Sequence, residues 1–176
     1  MATRSVVGRY VGDEAWVGRY VHWDGYPANM VMVLLEIVLR DGFDKAVSTL
    51  VFENYGWSGL YPLPNKDDDK GYIKGYGYPM KDGKSGDWIT WETDHWGTEY
   101  AYIIEPSNKS VTILEYDYAP IDKNKTPEEW LKSGAWRKAD VIDFGPAIAR
   151  VQSGETTIQD EVERRWQTLS VLEGVQ

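Results

Sequence analysis

Cysteine is missing altogether from the 176 residues, which excludes a disulfide framework, thiol catalysis and thiolate metal sites together. Histidine is reduced to two residues and phenylalanine to three. The longest apolar run, Met30 to Leu39, is interrupted by Glu36 and falls short of the ~20 residues needed to span a bilayer. No membrane association is expected. The opening Met1-Ala2-Thr3-Arg4-Ser5 runs into alternating Val, Gly, Arg and Tyr instead of the apolar stretch of a signal peptide, so export is not expected either. Basic residues are outnumbered, 19 against 28 acidic ones, for a net charge of -9. That balance disfavours direct binding of nucleic acid or anionic lipid and favours a basic partner. Phosphate-binding glycine loops, a dinucleotide fingerprint and a paired-histidine zinc helix are also missing.

What is present in excess is aromatic residues with a polar handle: nine Trp and twelve Tyr. Such side chains suit half-buried and binding surfaces; they also serve as the core of a small sheet. The length fits one domain covering residues 1–176.

Val7-Gly8-Arg9-Tyr10-Val11 recurs as Val17-Gly18-Arg19-Tyr20-Val21 across a Gly12-Asp13-Glu14 turn, which predicts a hairpin. Alternation puts Trp16, Gly18, Tyr20 and His22 on one face and Val17, Arg19, Val21 and Trp23 on the other. Asp24-Gly25 supplies a turn and Pro27 begins a buried helix running to about Arg40. Phe43, Ala46, Val47, Leu50 and Val51 mark one face of a second helix ending near Asn54. Residues 55–87 read as a long Gly-, Tyr- and Asp-rich loop. Strands are expected at Trp88–Trp91, Glu99–Glu105 and Lys109–Tyr118, with a short one at Val141–Phe144. Thr126-Pro127-Glu128-Glu129 is a capping box opening a short helix, and Ile158, Val162, Trp166 and Leu169 mark a C-terminal helix. Residues 173–176 read as a frayed tail. The fold class expected is α+β: an antiparallel meander of about five strands packed against three to four helices.

Two tripeptides hold both histidines: His22-Trp23-Asp24 and Asp94-His95-Trp96. If they converge, His22, Asp24, Asp94 and His95 have the donor types of a metal-dependent hydrolase or an acid/base pair; otherwise each histidine bonds locally at a strand end. Arg9 and Arg19, on one hairpin face, offer an anion site or internal ion pairs. His22, Trp23, Tyr26, Tyr76, Tyr78, Trp91 and His95 are the candidate ligand-binding set, carried by a turn and by the Gly-rich segment where rings can stack on a ligand. No cofactor is expected, and no metal under the leading reading.

The opening Met1-Ala2-Thr3-Arg4-Ser5, the hairpin, and Tyr20-x-His22-Trp23-Asp24-Gly25-Tyr26-Pro27 leading into a Leu-rich helix resemble a group of small tailed-phage proteins. The Glu99-Tyr100-Ala101-Tyr102 strand is similar as well. The resemblance covers roughly the first third of the chain; it implies a phage origin and a host-cytoplasm setting, and it transfers no catalytic or binding residues. The leading expectation is therefore a phage accessory protein, not an enzyme, that binds a host protein or a nucleotide-like ligand in host takeover or counter-defence. A metal-dependent hydrolase and a virion component, the latter oligomeric through its aromatic surface, are the alternatives.

Overall fold

The repeated pentapeptide pairs with itself. In the computed structural model, which describes residues 2–62, 71–80, 87–92, 97–131 and 133–172, β1 (Ser5–Tyr10) and β2 (Trp16–Val21) form the expected antiparallel hairpin. Gly8 faces Gly18 at its centre. A Cβ on Gly8 would overlap the Val17 carbonyl oxygen, so the two strands approach more closely there than any other residue allows. Antiparallel pairing of an identical repeat about the glycine that precedes its arginine sets each arginine against the other copy's first valine: Val7 opposite Arg19 and Arg9 opposite Val17. The two arginines share a face without opposing each other.

After the hairpin come α1 (Pro27–Asp41), α2 (Phe43–Val47) and then β3 (Trp57–Leu60), β4 (Gly77–Pro79) and β5 (Ile89–Thr90). The C-terminal half supplies β6 (Tyr100–Glu105), β7 (Ser110–Asp117), α3 (Pro127–Leu131), β8 (Ala135–Asp143), α4 (Gly145–Gln152) and α5 (Ile158–Leu172). The eight strands among the described residues join one sheet in the order β4-β3-β2-β1-β6-β7-β8, with β5 beside β2. None of the helices among the described residues is long and apolar enough to cross a membrane.

The α+β class holds, but the antiparallel meander of five strands does not. The sheet is mixed: β2 pairs parallel with β3, and β1 parallel with β6. The first follows from α1 and α2, which lie between β2 and β3 as a crossover; a crossover returns the chain in the same direction. The 55–87 segment is likewise not a continuous loop, since it contains β3 and β4. Among the described residues five α-helices stand where three to four are expected. The extra one is α4, whose Pro146 sits in its first turn. The strand expected at Val141–Phe144 begins earlier, at Ala135. Residues 63–70, 81–86 and the 173–176 tail lie outside the described residues.

Pro27 opens α1 and Gly42, at φ 83°, closes it with its N–H on the Val38 carbonyl. Met30, Val31, Leu34, Leu35 and Ile37 are fully buried, each contributing about 1.5–3 kcal/mol. The expected second helix is α2 followed by one wider turn, in which Glu53 N–H reaches back to the Ser48 carbonyl. The capping box is formed: Thr126 Oγ1 accepts from Glu129 N–H at 3.1 Å, and Glu129 Oε2 accepts from Thr126 N–H at 3.0 Å.

The sheet separates two cores. Val7, Val21, Trp57, Tyr102 and Ile104 pack under α1, α2 and α4, while α5 lies against the outer side of α1. On the face away from those helices Val6, Trp16, Tyr20, Ile89, Ile103 and Leu114 form a smaller cluster. Leu114 faces Lys138 and Tyr116 faces Trp136 across the β7–β8 ladder, after a one-residue slip between Ile113 and Leu114. That slip aims Trp136 at the open face.

Candidate functional site

The segment His22 to Pro27 is explained largely by hydrogen bonds. His22 N–H and Trp23 N–H each donate at 3.0 Å to the carbonyls of Trp57 and Ser58, extending the ladder to β3. Asp24 then turns the chain at φ 56°, and its carbonyl accepts from Asn29 Nδ2 at 2.8 Å. Its carboxylate accepts from the Tyr61 hydroxyl at 3.0 Å; burial and that bond push the Tyr61 pKa up to about 12. Gly25 is held from both sides, N–H on the Thr3 carbonyl at 2.9 Å and carbonyl under the Tyr102 hydroxyl at 2.6 Å. A Cβ on Gly25 would lie 2.5 Å from Ser5 Oγ and 2.6 Å from the Thr3 carbonyl oxygen. We therefore expect Gly25→Ala to cost about 2–3 kcal/mol in urea unfolding; a cost under about 1 kcal/mol contradicts this account of the turn.

His22 Nδ1 shares a hydrogen bond of 2.8 Å with the Tyr20 hydroxyl, and its ring meets Trp23 edge-on at 4.7 Å. Trp23 itself is 46% exposed. Asp94 and His95, the other half of the supposed metal or acid/base site, lie outside the described residues. Among the described residues no group of three or more His, Cys, Asp or Glu could hold a metal ion.

The candidate ligand-binding set is spread over three places. Tyr76 is buried in the helix-side core, stacked on Trp57 at 6.4 Å with its hydroxyl on Asp41 Oδ2 at 2.8 Å. Burial and that bond push its pKa up to about 12. Tyr26 also packs against this core. Tyr78 sits edge-on to Tyr61 at 6.4 Å, beside the turn. Trp91 belongs to the far end of β2, where Val17 pairs with Thr90, some 20 Å along the strand from His22. Arg9 and Arg19 also differ. Arg9 is exposed, whereas Arg19 is 3% exposed, donates from Nε to the Val51 carbonyl at 2.8 Å, and lies 3.3 Å from the Trp88 ring centre. Its guanidinium is a packing element between β2 and β5, with burial drawing its pKa down.

The feature that residue-by-residue reading missed is a groove of about 760 Å³ on the open face. Its walls are Tyr10, Trp16, Trp91, Tyr116 and Trp136. Trp136 stands perpendicular to Trp16 at 5.5 Å and to Tyr116 at 5.1 Å, so its orientation is fixed from two sides. The Tyr116 hydroxyl is fixed in turn, accepting from Gly134 N–H at 2.9 Å. The charges around these rings, among the described residues, are Asp13 and Glu14 from the hairpin turn, Glu92 after β5, Glu105 at the end of β6, and the cation Lys138. Four carboxylates against one ammonium among the described residues give this part of the groove a negative potential. Burial and the neighbouring Glu105 raise the Tyr10 pKa. Alternation along β2 could have identified Trp16; Trp136 needed the β7–β8 register.

The groove can hold a cation against aromatic faces and repel a phosphate. No known protein family, curated protein or solved structure matches this chain, so its own side chains are the ground for reading its function.

Proposed function

We propose that this chain works by binding, and that its working surface is the open-face groove, which takes a protein partner with a basic surface. The observation that carries the reading is the combination of five aromatic walls with a carboxylate excess. Rigid aromatic rings are the side chains that dominate interface energetics, and the charge ring steers a cationic partner toward them. A nucleotide-like ligand fits this groove poorly, because its phosphates would meet Asp13, Glu14, Glu92 and Glu105. If the expected phage origin holds, the partner is a host protein and the setting host cytoplasm.

The test is capture from bacterial lysate followed by crosslinking mass spectrometry. Crosslinks are expected from a single partner to Lys138 at the groove, and Glu105→Lys, at a temperature where circular dichroism shows the variant folded, should weaken capture by about 10- to 100-fold. Capture that is indifferent to Glu105→Lys overturns the reading, as does the absence of any partner.

A further inference from the structure

Within the groove one carboxylate differs from the others. Glu105 ends β6, and two hydroxyls on the neighbouring strand donate to the same oxygen: Thr112 Oγ1 at 2.7 Å and Ser110 Oγ at 3.3 Å, both to Oε2. Ser110 and Thr112 are 3% and 1% exposed, so these donors are fixed in the sheet. Oε1 has no hydrogen-bond partner among the described residues. Glu105 is thus an oriented carboxylate, half buried, with one oxygen unengaged in a groove whose other walls are rings.

Resting on the binding reading above, we infer that the groove recognises an arginine side chain in a basic segment of the partner, its guanidinium edge on Glu105 and its flat face against the neighbouring Tyr10 ring. The planar guanidinium satisfies both wall types at once: its edge donates to a carboxylate while its face stacks on a ring. A lysine ammonium is a point charge that gains the first contact and little of the second. The chain already uses this stacking internally, in the Arg19 guanidinium over Trp88. Asp13, Glu14 and Glu92 attract the segment's flanking cations, and Trp136, held by Trp16 and Tyr116, loses little freedom on binding.

The experiment is calorimetric titration of the full chain with a short Gly/Ser peptide carrying arginines, and with the same peptide carrying citrulline or lysine instead. Citrulline keeps the shape and removes the charge. The arginine peptide is expected to bind, the citrulline version at least about tenfold more weakly and the lysine version about fivefold more weakly. Glu105→Gln should weaken the arginine peptide about tenfold. Trp91→Ala, a change at a ring 42% exposed, should weaken it about threefold in a variant whose circular dichroism shows it folded. Equal binding of arginine and lysine peptides with the same salt dependence would overturn the guanidinium assignment and leave the groove a general cation surface. Failure of every cationic peptide, with partner capture still sensitive to Glu105→Lys, would overturn the inference alone. Loss of that sensitivity would remove the binding reading itself.

Discussion

Trp57→Ala should lower the free energy of unfolding by about 3–5 kcal/mol and the melting temperature by roughly 10–15 °C. Trp57 is wholly buried in β3. Its indole N–H donates to the Leu50 carbonyl at 2.9 Å, and its ring stacks on Tyr76, which in turn bonds to Asp41 at the end of α1. The side chain therefore ties the crossover helices to the strand they lead into. Alanine leaves a cavity there and deprives the Leu50 carbonyl of its donor. Trp57→Phe separates the two contributions: it keeps most of the bulk and should cost about 1–3 kcal/mol. Urea unfolding with an unchanged denaturant slope is the measurement; a loss below about 1.5 kcal/mol for the alanine variant contradicts the packing described.

The second large effect is expected at Glu161, where α4 meets α5. The carboxylate is 3% exposed and forked by Arg150, Nε to Oε1 at 2.6 Å and Nη2 to Oε2 at 2.8 Å. Thr156 Oγ1 donates a third bond at 2.7 Å. The Arg150 hydrogen bonds lead in holding its pKa down at about 2 against an ordinary value of 4.5, outweighing the burial that opposes them. Because the folded pKa lies below the unfolded one, the stabilisation is complete above about pH 4.5 and is lost as pH falls toward 2. Its size is roughly 2–3 kcal/mol. Glu161→Gln should lose about that much at pH 7, and the difference between variant and parent should close in acid. A gap that persists at pH 2 would show that packing, not charge, holds α5 to α4.

Local features were legible because local chemistry dictates them. The Pro27 start and Gly42 stop of α1, the Thr126–Glu129 capping box and the self-pairing repeat each rest on residues close in sequence. The His22–Pro27 turn was legible for the same reason, and its hydrogen bonds leave only His22 and Trp23 beyond what a turn requires. The sheet order was not legible: nothing near Ser5 announces that it will lie beside Tyr100. Only the end of β8 is legible in the sequence, because Arg137, Lys138, Ala139 and Asp140 show no alternation, as suits an outermost strand wet on both sides. The groove escaped for that reason, since its ring Trp136 and its cation Lys138 stand on the strand whose beginning was missed. Tyr76 reads as part of a ligand surface because a Gly-rich context reads as a loop, whereas tertiary burial places it against Trp57.

The pairing of β1 with β6 also bears on how the chain is made. β1 sits mid-sheet, yet its second neighbour is translated only after everything from Val11 to Glu99 has left the ribosome. At about 5–20 residues per second, that leaves one edge of β1 waiting on the order of 5–20 s for its partner. During that interval the nascent chain carries the hairpin, α1 and β3 with the Val6-Val7 edge unpaired. Assembly is accordingly tied to completion of the second half, and a product that stalls before Tyr100 would present that edge to chaperones or to other chains.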